Sequence, residues 1–572
     1  MKEAIEKRYL KWLNEDSLDQ KLLDALKAMD EREIEEAFYK HLDFGTGGMR
    51  GVVGPGTNRM NIYTVRKAAH GYAEFLMAHY ENAAKRGVVI AHDNRHMSDV
   101  FTEECVGVLS AFGIKTYIFD SLHPTPMLSY GVRLKEAAGG IMVTASHNPP
   151  EYNGVKMYDH TGCQLVPHQA EKVIENVNNV EDLFKIERLP FEEAKKLGLV
   201  EVMGEEVDDA YIRDVHRIQY EPDTEKTVKV VFTPLHGASA TVATRSLQEA
   251  GYDVYPVKSQ MVPDPEFSTV DSPNPEYESA FKEAKKLGEE IGADLLVATD
   301  PDGDRLGVMA RHEGAYHFLT GNQTAAIFAE YILSHEKAAG TLKDNSVFFH
   351  TIVSSEFAAT IARSYSVEVQ STLTGFKFIG DQVNRQVDSG LKTFTMAYEE
   401  SYGYILDDFV RDKDSLMPTL LITEIANVLK QENRTLVDYL NSLYETYGAF
   451  TDKLISIVLQ GREGTETIQS VMTHFRGYEP DSLVGHKLLV KEDYLYSTRK
   501  ENGETKPLDY PESNVLKFIF EDDLWFVLRP SGTEPKLKIY LNLKSDSMDD
   551  AKAKLAELEN AIMGMLEPFD IE

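Results

Sequence analysis

At 572 residues, with 42% hydrophobic and 27% charged residues, the chain has an ordinary globular composition and room for three or four domains of about 150 residues. Its formal net charge of −33, from 60 basic and 93 acidic residues, argues against nucleic acid or an anionic membrane as partner, so an anionic ligand must be met by a local basic pocket. Only Cys105 and Cys163 occur, too few for a disulfide framework, and no stretch reads as a signal peptide or membrane span; a cytoplasmic protein is expected.

Residues 1–40 read as amphipathic helix, ending in the glycine-rich "DFGTGGMRG". Helical and short apolar stretches then alternate: a helix over 64–87, the strand "VVIAHD", a helix over 98–114 opened by Ser98 as cap, the strand "KTYIFD", and "AAGGIMVTAS". The rhythm restarts near residue 228 ("VKVVFTP", "DVYPV", "ADLLVATD") and again at "SVFFHTIVSS" and "VEVQSTLTG". Helices alternating with apolar strands imply α/β sheets covered on both faces, here as three divergent units of similar size. After about residue 450 the strands "KLISIVLQG", "NVLKFIFEDDLWFVLRP" and "KLKIYLNLKS", with one helix between and one at the end, read as a different, α+β domain.

Four stretches carry chemistry. In "TASHNPPEYNGVKMY" Ser146 stands on a stiff turn beside His147, with Lys156 downstream; it is either an exposed nucleophile or a strand-end cap. In "LLVATDPDGDRLGVMA" Asp300, Asp302 and Asp304 follow an apolar strand, at the sheet end where α/β proteins bind ligands. An extended chain would turn all three to one side, and such repulsion calls for a hard cation, Mg²⁺ or Ca²⁺; the alternative is a polar turn between two strands. Arg305 and Arg311 stand where an EF-hand needs Gly and Glu, which excludes that motif. "YEESYGY" sets Glu399 and Ser401 after another apolar stretch, suited to sugar hydroxyls or else a charged loop. "RPSGTEPK" offers Arg529, Ser531, Gly532 and Thr533, a phosphate grip or a polar hairpin turn. Lys377 in "TGFKFIG" and Lys413 in "RDKD" are further cations, or else solvated surface charges. "GTGGMRG" lacks the spacing of a dinucleotide fingerprint or a P-loop, and no histidines pair as in a zinc site.

These pieces, in this order, resemble the α-D-phosphohexomutase superfamily. "TASHNP" is similar to its phosphoserine loop, "DPDGDR" to its metal loop, "EES" to its sugar loop and "RPSGTEPK" to its phosphate loop; "GTGGMR" and "PNPE" extend the likeness. The resemblance implies three related α/β domains with mixed sheets plus a fourth, α+β C-terminal domain, around a central cleft. The boundaries expected are 1–207, 208–322, 323–450 and 451–572, each carrying one of the four loops in that order. It implies reversible movement of phosphate between the C1 and C6 oxygens of a hexose, with phosphorylated Ser146 as donor and a bisphosphate, glucose 1,6-bisphosphate for glucose, as intermediate. Mg²⁺ would sit on Asp300, Asp302, Asp304 and an oxygen of the Ser146 phosphate. Lys156 would be the general acid/base, with His147 and Arg50 beside it and Arg305 on phosphate. Thr374, Lys377, Glu399 and Ser401 would line the sugar, and Lys413, Arg529, Ser531, Gly532 and Thr533 would grip the non-reacting phosphate.

"EES" is the form of glucose-directed members, so glucose phosphates are the expected small-molecule partners. "SHNPPEYNGVKMY" and "DPEFSTVDSPNPE" look like the branch that also includes phosphopentomutases and bisphosphate synthases, which leaves ribose or deoxyribose phosphates, and beyond them mannose phosphates, as alternatives. A sugar-phosphate sensor on this scaffold predicts a missing nucleophile or a broken metal triad, and neither is missing; a hydrolytic phosphatase would release free phosphate.

Overall fold

The computed structural model describes residues 2–45, 47–459, 461–531 and 536–571, without the side chains of 461 and 462. Two compact units divide the chain: Met1–Gly321 with Phe376–Leu436, and Asn322–Gly375 with Val437–Glu572. Where one amphipathic helix is expected at the start, three occur, Lys2–Leu13, Gln20–Ala28 and Glu31–Phe38. Asp19 and Asp30 interrupt it, because each carboxylate accepts backbone N–H groups of the turn after it and so starts a new helix. The three helices bury Trp12, Leu26 and Phe38 with Tyr63, the Trp12 and Tyr63 rings meeting edge-on at 5.7 Å.

The first unit holds a mixed sheet in the order Phe44–Gly45, Gly48–Val52, Tyr152–Tyr158, Gly139–Val143, Val88–His92, Thr116–Phe119, Val200–Met203. The last four strands run parallel, and Tyr152–Tyr158 is antiparallel to both of its neighbours. All five residues of Gly139–Val143 are buried, as a strand covered on both faces requires. The helix Ser98–Ala111 begins at Ser98, but Ser98 does not cap it: its hydroxyl donates to Asp93 at 3.0 Å, and Met97 precedes the helix at φ +67°. A second mixed sheet runs Ala315–Leu319, Leu306–His312, Leu295–Thr299, Lys229–Thr233, Asp253–Pro256, with Lys229–Thr233 parallel to both neighbours. The helices Phe376–Gln386 and Leu416–Gln431 and the antiparallel pair Thr393–Glu399 and Gly403–Ile405 also belong to this unit.

The second unit pairs Ser346–Thr351 in parallel with Glu368–Thr372 around the helix Glu356–Ser364. Its C-terminal sheet is antiparallel and runs Ala449–Val458, Lys536–Ser545, Trp525–Pro530, Leu516–Phe520, His486–Asp493, Thr498–Glu501, Glu504–Pro507. Val471 and Phe475 of the helix Gly461–Gly477, and Leu558 and Ile562 of Met548–Leu566, join Phe518, Phe526 and Ile539 in one core. Trp525 is buried in this unit with the Lys517 ammonium 4.6 Å from its ring centre. Among the described residues no helix is long and apolar enough to cross a membrane.

Candidate active site

Ser146 follows the strand Gly139–Val143 in the left-handed region, φ +50°, with its amide donating to Thr144 Oγ1 at 2.8 Å. That backbone turns the side chain out of the strand direction. Its Oγ donates to Asp300 Oδ2 at 2.7 Å and lies 3.2 Å from His147 Nδ1. The loop is held from beneath by Arg95, whose buried guanidinium donates to the carbonyls of Ser146, Asn148, Pro149 and Tyr152. Asp93 lies 3.4 Å from Arg95 and accepts from the Thr144 hydroxyl at 2.6 Å, and the Phe267 ring stacks under the guanidinium at 5.1 Å.

The three carboxylates follow the strand Leu295–Thr299 and have oxygens within 4.8 Å of one another. They converge because the chain turns, not because it is extended. The Gly303 amide donates to the Asp300 carbonyl at 2.9 Å, and Gly303 sits at φ +64°, where a Cβ would come within 2.6 Å of Pro124. Asp300 Oδ1 accepts the amides of Asp304 and Arg305 at 3.0 and 3.1 Å. Thr125 clamps Asp302 twice, hydroxyl to Oδ2 at 2.9 Å and amide to carbonyl at 2.8 Å.

Two lysines offset part of the negative charge. Lys156 donates to Asp302 Oδ2 at 2.6 Å and Asp304 Oδ2 at 3.2 Å, and Lys413 lies 3.2 Å from the latter oxygen. Burial alone would lower both ammonium pKa values; Asp302 and Asp304 for Lys156, and Asp304, Asp412 and Glu399 for Lys413, raise them instead. Burial and then the charges of Asp302 and Asp304 drive Asp300 well above the usual carboxylate range. Asp302 is held below it, because Lys156 and hydrogen bonds outweigh burial. Asp302 Oδ1 and Asp304 Oδ1 are buried without a hydrogen-bond partner among the described residues. Orphaned, hard, anionic oxygens of this kind fit a divalent cation.

Around this centre, Arg305 pairs with Glu276 of "PNPE" and its Nε lies 3.8 Å from Asp304. Burial first, then the charges of Arg305 and Arg50, hold the His147 imidazole well below its usual pKa and therefore neutral. Arg50, on Gly48–Val52, donates to Asn148 of the serine loop at 2.7 Å. Glu399 accepts from Ser401 at 3.0 Å and lies 3.9 Å from Lys413, whose stem packs where a Cβ on Gly403 would stand. Asp412 ties this loop to the Lys156 strand, accepting from Tyr158 at 2.8 Å and from the Lys413 amide at 2.8 Å.

The first unit thus gathers Arg50, Ser146, His147, Lys156, Asp300, Asp302, Asp304, Arg305, Glu399, Ser401 and Lys413. Lys377, in the same unit, is pushed down to about 8 by burial, against an opposing pull from Cys163. Thr374, Arg529 and Ser531 belong to the second unit. Arg529 closes the strand Trp525–Pro530 near Tyr540, 3.4 Å from its hydroxyl, and the Ser531 amide donates to the Lys536 carbonyl at 2.7 Å. Gly532 and Thr533 lie outside the described residues. Sequence reasoning misses Asp93, Arg95, Thr125 and Asp412; their only local signal is a place just after, or on a loop beside, an apolar strand.

A buried serine hydroxyl held on one carboxylate of an acidic triad, with an ammonium on the other two, is the arrangement of a metal-assisted phosphoryl-transfer site. Four domain families match in order: phosphoglucomutase/phosphomannomutase alpha/beta/alpha domain I over residues 41–183, domain II over 209–314, domain III over 320–447, and the C-terminal domain over 489–558. The chain belongs to the phosphoglucomutase/phosphomannomutase family, isomerases of the α-D-phosphohexomutase superfamily. A phosphoglucomutase of Staphylococcus aureus strain MRSA252 is 38% identical over 528 residues, 91% of this chain and 93% of its own. In fold the chain is similar to a phosphoglucomutase/phosphomannomutase family protein of Burkholderia thailandensis (TM-score 0.64, 18% identity, 92% of this chain and 97% of that one). It is likewise similar to the Paramecium phosphoglucomutase parafusin in its open form (TM-score 0.66, 18% identity, 93% and 95%).

Proposed function

We propose that the chain is a cytoplasmic phosphoglucomutase that interconverts α-D-glucose 1-phosphate and D-glucose 6-phosphate through phosphorylated Ser146 and glucose 1,6-bisphosphate. The observation that carries this reading is Ser146 Oγ at 2.7 Å from Asp300 within a triad that also holds Lys156, in a chain 38% identical to a curated phosphoglucomutase. The domain boundaries proposed are 1–207, 208–322, 323–450 and 451–572, supported by the order of the four family matches.

Phosphate leaves Ser146 Oγ for a sugar hydroxyl: the P–Oγ bond breaks, a P–O bond to the sugar forms, and the hydroxyl's proton must end on the serine. Lys156, kept protonated by Asp302 and Asp304, gives a proton to the departing Oγ and is restored by the attacking hydroxyl. Neutral His147, 3.2 Å from Oγ, hydrogen-bonds the serine oxygen without adding charge. Mg²⁺ bound by Asp300, Asp302, Asp304 and the serine phosphate would neutralise charge on the transferring group. Arg50 and Arg305 steady that phosphate, Glu399 and Ser401 hold sugar hydroxyls with Thr374 and Lys377, and Lys413 with Arg529, Ser531, Gly532 and Thr533 grips the other phosphate. The family and the local cations Arg50, Lys156, Arg305 and Lys413 support small sugar phosphates as partners, while the strongly acidic chain disfavours nucleic acid and anionic membrane.

The test is turnover of glucose 1-phosphate to glucose 6-phosphate with Mg²⁺ and a trace of glucose 1,6-bisphosphate, set beside mannose and ribose 1-phosphates. Preference for glucose is expected. A faster reaction on ribose 1-phosphate would replace this reading with a phosphopentomutase, and free phosphate as the sole product with a phosphatase.

A further inference from the structure

A cavity of ≈170 Å³ opens in the first unit, with walls that belong to none of the residues placed in the active site. Phe44, Met49, Ile174 and Val177 make it apolar, Lys67 makes it cationic, and His41 adds an imidazole. Lys67 lies half-buried on the helix Ile62–His79 and has no hydrogen bond or ion pair among the described residues. Other buried lysines are satisfied: Lys156 and Lys413 by carboxylates, Lys491 and Lys517 by carbonyls. The one acid on the cavity wall, Asp43, is already held by Lys40. Burial pulls the Lys67 pKa down; burial, then Lys67, Arg8 and Lys11, pull down that of His41. One uncompensated ammonium is thus kept in the pocket of a chain of net charge −33.

A half-buried ammonium with no counter-charge costs stability unless something anionic arrives to pair with it. We propose that this cavity is a second ligand site, taking a small organic anion: a carboxylate or phosphate ester on an apolar body about the size of one ring. The anion pairs with Lys67 and accepts a hydrogen bond from the neutral His41 ring, and the body replaces water against Met49, Ile174 and Val177. The site backs onto the catalytic strand. Met49 and Arg50 are successive residues of Gly48–Val52, so their side chains leave opposite faces, and the partners of Gly48 and Arg50 on the next strand are Lys156 and Gly154.

Benzoate is the probe. Purified full-length protein is acylated with a limiting dose of acetic anhydride, and modification of Lys67 is followed by peptide mass spectrometry as benzoate is added. At ten times its dissociation constant benzoate should slow Lys67 acylation about tenfold, following 1 + [L]/Kd. It should also raise Tm, in proportion to the logarithm of its concentration once above Kd, in wild type and in Ser146→Ala, and not in Lys67→Met, whose own Tm shows that it folds. Unchanged Lys67 acylation in wild type would overturn the proposal without any variant. So would a Tm rise kept in Lys67→Met and lost in Ser146→Ala, which would place the anion at the phosphate subsites. Mutase turnover is measured separately, so failure of the catalytic assignment leaves this test intact.

Discussion

Arg95 is the residue whose removal should separate holding the serine loop from reacting at it. Arg95→Met takes donors from four carbonyls between Ser146 and Tyr152 and leaves Asp93 buried without its cation. Breaking a buried pair on one side costs about 3–5 kcal/mol, largely because the remaining charge is stranded. Asp93 keeps its bonds from Thr144 and Ser98, and burial already raises its pKa, so it can take up a proton; the lower end of the range is expected. Adding Asp93→Asn removes the stranded charge and should restore much of that stability. Activity should not return with it, because the Ser146 carbonyl is still untethered, and a misplacement on the order of 1 Å costs about 10²-fold in rate. Urea unfolding gives the first quantity, and kcat for glucose 1-phosphate per folded molecule gives the second. Arg95→Lys, with one ammonium in place of a forked donor, should fall between in both. If Arg95→Met turned over within twofold of wild type at an unchanged midpoint, the loop would not depend on Arg95 and the reasoning would fail.

Ser146→Ala should give no phosphopeptide covering residue 146 and no turnover above background; full activity would remove Ser146 as carrier. Asp302→Asn should weaken Mg²⁺ binding and lower kcat by orders of magnitude, and EDTA-treated wild type should be inactive until metal is restored; metal-free activity would refute the triad's role. Glu399→Ala should cost about 1–3 kcal/mol per sugar hydroxyl left unpaired, more for glucose 1-phosphate than for ribose 1-phosphate. Equal losses on both sugars would favour pentose as substrate. Arg529→Ala should raise KM for glucose 1-phosphate and glucose 6-phosphate alike, by roughly 1.5–3 kcal/mol if the bond is charge-assisted. Values within twofold of wild type would reduce that loop to a hairpin turn.

The strands Val88–His92, Thr116–Phe119, Gly139–Val143, Lys229–Thr233, Asp253–Pro256 and Leu295–Thr299 are legible as short, largely apolar runs; Gly48–Val52, Tyr152–Tyr158 and Ala315–Leu319, with polar residues or glycines, are not. The acids of the metal loop are legible because they follow one of the apolar runs. The shape of that loop is not. Alternation suggests an extended chain, but the left-handed Gly303 turns it; "DPDGDR" does carry a turn signal in Pro301 and Asp302-Gly303, which the alternation masks. Residues 1–40 have continuous helical periodicity, and the capping power of Asp19 and Asp30 outweighs it. Ser98 illustrates the opposite error, a good capping residue whose hydroxyl is taken by Asp93. Arg95, Thr125 and Asp412 act on partners more than fifty residues away in sequence, so their place near an apolar strand does not reveal what they hold.

The two tryptophans of the chain fall one to each compact unit, Trp12 among the N-terminal helices and Trp525 in the C-terminal sheet. Each indole is therefore a built-in optical reporter of a single unit. In Trp12→Phe the remaining emission would follow the C-terminal sheet alone; in Trp525→Phe it would follow the helices packed on Tyr63. Fluorescence melting of the two variants would time the loss of each unit without any added dye, and coincident curves would mean that the units unfold as one.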